Sequence, residues 1–351
     1  MSSRLLVLLL LICASVGARA DGALAQQNHA LLEHIAQMHG YTPQQMDELR
    51  ALVLGSGYMG QGNPAITVHA ATREACTARL ASAPVAAGQA DFERICGAKF
   101  MAPLYDPARE NPAQARACID QYEFPNIPCE YPVVWVKAVE AAQVCAAVGK
   151  RLCDAHEWEG ACEGAVQAPD YRFDLAQGVG MGAAVARMRA AHNQSHASQA
   201  RWSYGPAFKR GVCAQAGRKS ASCAGGGYTQ CGSNTYPAGD FPACRSPLGV
   251  YDLNGNAAEH MNLPLNPAQM ASTGSTVLGV TEMKGSWFIF DTYRAHPDWC
   301  RWRAPFWHGG RVMDAHSHAN YHLGFRCCKT VGEQATALAP AKDEKRQPAS
   351  R

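Results

Sequence analysis

The sequence lacks a strong excess of charge of either sign. Charged residues make up 17% of the 351 residues, and 32 Lys and Arg stand against 29 Asp and Glu. The first twenty residues hold two of these cations, Arg4 and Arg19, and no anion, so 30 cations remain in the rest of the chain. Proteins that bind nucleic acid or anionic membranes carry a basic face. The near-neutral balance therefore predicts no nucleic-acid partner.

Three other features are missing. No C-x-x-C pair occurs among the 15 Cys, and this disfavours zinc ribbons and thioredoxin-like redox proteins. No low-complexity period runs through the chain, which excludes collagen and long disordered repeats. Beyond the N-terminus no apolar stretch is long enough for a transmembrane helix, and we expect no transmembrane anchor.

The N-terminus has the pattern of a cleaved secretory signal peptide, predicted here as residues 1–20. Arg4 supplies the positive charge, Leu5–Val16 the apolar core and Ala18–Ala20 a small-x-small cleavage site. A lipoprotein signal at Cys13 is a weaker alternative, because Ile12 stands where such a signal needs a small residue. The pattern predicts a periplasmic or secreted protein.

The cysteine count supports export. Of the 15 Cys, Cys13 leaves with the signal peptide, so 14 remain. An even, high count in an exported protein is typical of a disulfide framework, here with up to seven bridges. Cys327 and Cys328 are adjacent and are expected to have different partners.

The chain divides into three segments after the signal peptide. Residues 21–90 are predicted to be an N-terminal helical extension, with a helix start at Thr42–Gln45 that combines an N-cap, a proline and a capping-box Gln. Residues 91–331 are rich in Cys, Trp and Gly and are predicted to form the main domain. Residues 332–351 are rich in Ala, Pro and charge, which predicts a disordered tail.

One stretch of the main domain has clear local signals. Val133–Val136 is predicted to be a short buried strand, and the apolar stripe over 138–148 predicts a helix. Asp154 and Glu157 are spaced as an N-cap and its capping-box partner for the next helix, with Trp158 on its inner face. These residues are interpreted as core architecture.

Two motifs are open to both a structural and a metal-binding interpretation. Asn256 and Glu259 have the spacing of a helix start, but amide, carboxylate and backbone oxygens in such a turn also suit calcium. His316, His318 and His322 could hold zinc or copper through neutral imidazoles, or could simply face solvent.

Five strings, taken together, resemble the formylglycine-generating enzyme family, also called the sulfatase-modifying factor domain. They occur in the family's order between residues 118 and 328. The strings are CIDQYEFPNIPCEYPVVWV (118–136), GKRLCDAHEWEGACEG (149–164), YPAGDFPACRSPLGVYDLNGNAAEH (236–260), KGSW (284–287) and LGFRCC (323–328).

The resemblance implies an α+β, C-type-lectin-like fold with little regular secondary structure and many disulfides. It implies that Asn256 and Glu259 are calcium ligands and that Ser286 is the serine of the family's groove. It also suggests a Cys162–Cys327 bridge, with Cys300 as a further structural half-cystine.

The sequence departs from the family pattern at the oxidase centre. Active members oxidise a sulfatase cysteine to formylglycine with oxygen, and two cysteines hold Cu(I) there, since thiolates select this soft ion. In this chain the corresponding positions fall near Ile289 and Arg294, and the next cysteine is Cys300. Copper-dependent chemistry is therefore not expected from these positions.

Three functions remain open. The first is a divergent oxidative maturation factor that acts on an exported protein or metabolite, with His316, His318 and His322 as candidate ligands of a copper or other redox metal. The second is a non-catalytic, calcium-stabilised lectin-like module that binds a peptide, glycan or protein. The third is a formylglycine-generating oxidase with a nonstandard metal site. Iron-dependent relatives carry a His-x-x-x-His motif on an added four-helix domain, for which residues 21–90 are too short.

Overall fold

The computed structural model describes residues 22–83, 89–305 and 309–332. The proposed signal peptide and all of the proposed tail except its first residue lie outside these ranges. The helices are α1 (22–39), α2 (Pro43–Gly55), α3 (Arg73–Ala81), α4 (Gln89–Cys96), α5 (Ala138–Ala147), α6 (Ala155–Glu163) and α7 (Met181–His196). The strands are β1 (Met101–Leu104), β2 (Ala117–Asp120), β3 (Arg151–Leu152), β4 (Ala258–Leu263), β5 (Val280–Lys284), β6 (Leu323–Phe325) and β7 (Cys327–Thr330).

Local sequence signals account for the helix boundaries. At the start of α2, the Thr42 hydroxyl accepts from the Gln45 N–H and the Gln45 side chain accepts from the Thr42 N–H, as the capping box predicts. At the start of α6, Glu157 accepts from the Asp154 N–H at 2.9 Å. The Asp154 carboxylate also accepts from the Asn262 amide. The predicted helix over 138–148 is confirmed as α5.

The strands form two small sheets. One has the order β1-β2-β7-β3 and is antiparallel throughout. The other has the order β5-β4-β6, with β4 antiparallel to β5 and parallel to β6. The α+β class with little regular secondary structure is therefore confirmed.

The predicted strand at Val133–Val136 is wrong. Val134 makes only an isolated bridge with Gly60. The backbone of Trp135 has a φ of 58°, a left-handed conformation that interrupts an extended strand. The residues are nonetheless buried, as predicted from their apolar character.

The N-terminal helices share the core of the main domain. Leu31 and Ile35 of α1 and Leu49 of α2 belong to one buried cluster with Val144 of α5 and Phe325 of β6. The helical character predicted for 21–90 is present in α1, α2 and α3, while the boundary at residue 90 stays a prediction.

Seven disulfides join all 14 cysteines between Cys76 and Cys328, which confirms the predicted framework. They are Cys76–Cys129, Cys96–Cys118, Cys145–Cys327, Cys153–Cys328, Cys162–Cys300, Cys213–Cys244 and Cys223–Cys231.

The suggested Cys162–Cys327 bridge is wrong. Successive residues of β7 point to opposite sides of the sheet, so Cys327 and Cys328 enter different core clusters. Cys327 bonds to Cys145 of α5 in one cluster. Cys162 lies in the other cluster with Cys300 and bonds to it.

None of the helices in the described ranges is both long and apolar enough to cross a membrane.

Candidate functional site

Ser286 lies two residues beyond the end of β5 and is completely buried. Its hydroxyl donates to the Asp298 carboxylate at 3.0 Å and accepts from the Gln215 amide at 2.7 Å. The same Gln215 nitrogen donates to Asp298 at 2.6 Å. The hydroxyl predicted to line a groove is thus held inside a closed hydrogen-bonded triangle.

The two positions expected for copper ligands hold groups that cannot bind Cu(I). Ile289 is 2% exposed and lies in an apolar cluster with Phe288. The Arg294 guanidinium lies over the Phe208 ring, 4.4 Å from its centroid. Cys300 is bonded to Cys162. Because every cysteine of the described ranges is in a disulfide, no thiolate is present there to select Cu(I), and the residues do not fit a copper centre.

Glu259 of β4 is engaged by a buried arginine. The parallel pairing of β4 with β6 sets Glu259 beside Gly324, two residues before Arg326. The Arg326 guanidinium donates to both carboxylate oxygens of Glu259 at 2.7 Å, and the Trp158 indole N–H donates at 2.9 Å. A bidentate pair of this kind is strong and directional.

Asn256 also has protein partners. Its Oδ1 accepts from the Tyr236 N–H at 2.8 Å, and its Nδ2 donates to Glu123 at 2.7 Å. The side-chain oxygens of Asn256 and Glu259 therefore already accept hydrogen bonds from donors of the protein itself. The alternative interpretation as a helix start is wrong, because β4 begins at Ala258. Calcium binding at this turn stays a prediction.

Three buried carboxyl groups surround this turn. Burial, followed by the charges of Asp252 and Glu259, raises the pKa of Glu123 well above its usual range. Burial raises the pKa of Asp252 to about 7, although the Gly239 N–H and Arg326 oppose the change. Charges of Asp240 and Glu259 add to the raised pKa of Asp252. Burial therefore favours the protonated forms of Glu123 and Asp252 in the folded state.

The raised pKa of Asp252 predicts a pH-dependent stability. A carboxyl whose folded-state pKa is raised stabilises the fold below its unfolded-state pKa, and this contribution is lost as the pH rises through the folded value of about 7. We expect Asp252→Asn to flatten the decline in the free energy of unfolding between pH 5 and pH 8, measured by urea denaturation. The exposed Asp91→Asn serves as the control and should leave the slope unchanged; an identical slope for Asp252→Asn would contradict the assignment.

The structure does not bring His316, His318 and His322 together. His316 has a side chain that is 95% exposed and lies near Asp314. His318 is exposed, whereas His322 is buried and stacks on Trp287 with ring centroids 4.7 Å apart. Binding of a redox metal by these three residues stays a prediction that the geometry does not favour.

A different cluster does have the spacing of metal ligands. Across the described part of the chain, Asp170, His192 and His196 form the one group of three or more His, Cys, Asp or Glu whose ligand atoms all lie within 4.8 Å of one another. Both histidines are on α7, one helical turn apart, and Asp170 is in the loop after α6. The His-x-x-x-His spacing can be read from the sequence, but the distant Asp170 gives no local signal.

A polar cavity of about 640 Å³ opens near the start of α6. Side chains of both charge signs line it, among them Arg109, Glu110 and Arg116, together with His156 and Thr273. A cavity of this size falls in the range that holds small molecules or short peptide segments. No local sequence signal indicates this cavity, because its lining comes from four separate stretches of chain.

Comparison with protein families matches residues 47–331 to the sulfatase-modifying factor enzyme 1-like domain. A comparison with curated proteins found no match. Among solved structures, the chain is similar to CarF, with 12% identity, 66% of this chain and 96% of CarF covered, and a TM-score of 0.34. It is also similar to PvdO from Pseudomonas aeruginosa, with 14% identity, 66% of this chain and 91% of PvdO covered, and a TM-score of 0.32.

Proposed function

Because the chain belongs to the sulfatase-modifying factor enzyme 1-like domain family, we propose that it is an exported member that binds a polar peptide segment of another exported protein, without copper–thiolate oxidation. One observation carries this proposal: Cys300, the cysteine nearest the family's copper positions, is locked in a disulfide with Cys162. Export is supported by the seven disulfides, since such bridges persist in oxidising compartments.

The cavity near α6 is the proposed binding site. Its volume of about 640 Å³ suits a short segment of chain. Arg109 and Arg116 can pair with carboxylates of a partner, while Asp106 and Glu110 can pair with its cations. A peptide that presents both signs of charge and backbone amides matches this lining better than an apolar small molecule does.

Site-specific cross-linking in the producing cell tests the binding proposal. A photo-reactive residue at Thr273, which is exposed at the cavity, should cross-link to a discrete partner identified by mass spectrometry. The same residue at Met313, which is 48% exposed and is not among the cavity residues, is the matched control and should not capture that partner. Equal capture from both positions, or no partner at Thr273, would contradict the proposal.

An oxidation assay distinguishes peptide binding alone from oxidation of a peptide cysteine to formylglycine. We expect a Cys-x-Pro-x-Arg peptide to stay unmodified when it is incubated with the copper-treated protein and oxygen and then analysed by mass spectrometry. Appearance of formylglycine would overturn the proposal and favour a formylglycine-generating oxidase instead.

A divergent oxidative maturation factor is the second candidate. The observation that favours it is the Asp170, His192 and His196 cluster, because two histidines and one carboxylate are the ligand set of many non-haem iron oxygenases. Analysis of the bound metals in the protein as purified discriminates the two candidates, since this one requires a redox-active metal at unit stoichiometry.

A further inference from the structure

We infer that Asp170, His192 and His196 form a binding site for one first-row divalent cation such as Zn²⁺. Nδ1 of His192 and Nε2 of His196 each lie 2.8 Å from Oδ2 of Asp170. Two imidazoles and one carboxylate oxygen are a donor set that such cations prefer. The inference is independent of the proposed function and would stand if that function failed.

The Nδ1 atom of His192 lies directly against a carboxylate oxygen of Asp170. Its Nε2 lies 2.9 Å from the Arg301 carbonyl oxygen, which can only accept, so Nε2 carries the hydrogen. In the neutral ring Nδ1 is then a bare lone pair that faces the Asp170 carboxylate. Their contact at 2.8 Å does not have the geometry of a hydrogen bond, and His192 is 2% exposed. Two things can remove the repulsion between these electron-rich groups: a proton on Nδ1, which makes the contact an ion pair, or a metal ion bound to both atoms.

The groups around the three ligands orient them as in a metal site. The Arg301 carbonyl fixes the tautomer of His192, a role that carbonyls beside metal-binding histidines commonly have. Arg303 donates to Oδ1 of Asp170 at 3.2 Å, whereas Oδ2 faces the two histidines and is hydrogen-bonded to Nε2 of His196 at 2.8 Å. Metal-ligating carboxylates are typically hydrogen-bonded in this way.

The scaffold holds these groups rigidly. Asn193 of α7 donates to the Arg303 carbonyl and accepts from the Arg303 N–H, both at 2.9 Å. The Cys162–Cys300 disulfide ties the same segment to α6. Because α7 and residues 300–303 are anchored to each other, the ligand atoms are positioned before any ion binds, which reduces the cost of ordering them.

The electrostatic environment of the three ligands and their exposure to solvent are also compatible with a bound cation. His196 is the last residue of α7, where the helix dipole favours positive charge. The side chains of Asp170 and His196 are 33% and 17% exposed, whereas that of His192 is 1% exposed. The site is thus closed on the His192 side and open on the other, so an ion can enter and water can complete its coordination.

Titration with Zn²⁺ tests the inference. Tag-free protein is dialysed against EDTA and titrated by isothermal calorimetry at pH 7.4. We expect one site with a Kd below about 10 μM. His196→Gln removes an imidazole and Asp170→Asn replaces an anionic oxygen with a weaker, neutral one. Both side chains are partly exposed, and each change should weaken binding by about 100-fold or more. Thermal unfolding of the metal-free variants establishes that they are folded.

The exposed histidines provide the matched control. His316→Ala with His318→Ala should leave the Zn²⁺ affinity unchanged, and a Co²⁺-loaded protein should show visible absorption that disappears in His196→Gln. Absence of a tight site in the unchanged protein would mean that the cluster is an ion-pair network and would overturn the inference. Equal affinity in His196→Gln, or loss of the site in the His316 and His318 variant, would overturn it as well.

Discussion

Replacing Glu259 with Gln is expected to lower the free energy of unfolding by about 3–5 kcal/mol. The change removes the carboxylate that both nitrogens of the Arg326 fork contact and leaves a fully buried guanidinium without its counter-ion. The loss is partly offset, because Glu259 also repels the buried Glu123 and Asp252. Urea denaturation at pH 7 measures the difference.

Two further variants establish the cause. The exposed Glu93→Gln should change stability by no more than about 0.5 kcal/mol. Glu259→Gln combined with Arg326→Met should recover part of the loss, since removal of both charges costs less than removal of one. Recovery stays incomplete because Arg326 also donates to the carbonyls of Asp120 and Tyr251. A loss below about 1 kcal/mol for Glu259→Gln would contradict the role of the pair.

The same variant addresses the calcium hypothesis. If Glu259 bound calcium, EGTA would destabilise the unchanged protein and have no further effect on Glu259→Gln. The contacts of Glu259 with Arg326 and Trp158 instead lead us to expect no effect of EGTA on the unfolding midpoint of either protein.

Removal of the Cys162–Cys300 bridge, by substitution of both residues with Ala, is expected to cause the second large loss in the free energy of unfolding. The bridge spans 138 residues, and the chain-entropy estimate for a loop of that length is about 5 kcal/mol. The other bridges, above all Cys153–Cys328, shorten the effective loop in the unfolded chain, so we expect a loss of about 3–5 kcal/mol in urea denaturation.

The Cys223–Cys231 bridge is the control because it spans 8 residues. For this short loop the same estimate is about 2.5 kcal/mol, so its removal should cost clearly less. An equal or larger loss for the short bridge would show that loop length does not control the size of the loss. The Cys162 and Cys300 variant should also bind Zn²⁺ more weakly, since the bridge anchors the segment that carries the Arg301 carbonyl.

Much of the scaffold could be predicted because its signals are local. The capping box at Thr42 and Gln45 and the apolar stripe of α5 each involve residues within one or two turns. The even number of cysteines after residue 20 predicted a complete disulfide framework, and five ordered strings indicated the family. The strand prediction at Val133–Val136 was wrong for a local reason as well. A run of apolar residues does not indicate that the backbone of Trp135 is left-handed.

The candidate sites could not be predicted to the same extent. His192 and His196 have a readable spacing, but Asp170 comes from a separate loop, which Arg303 contacts together with Asn193 of α7. Glu259 has the spacing of a calcium ligand, yet its partner Arg326 arrives through the parallel pairing of β4 and β6. Each of these contacts joins residues that are distant in the chain.

The amino-acid sequence by itself determined the family, the α+β class, the upper limit of seven disulfides and the absence of cysteine at the positions expected for copper ligands. The tertiary structure decided which cysteines pair, which carboxylate meets which arginine and where two histidines meet an aspartate. Composition and short-range spacing are properties of the chain alone. Pairing across long separations depends on which side of a sheet or helix each residue faces and on which other face packs against it.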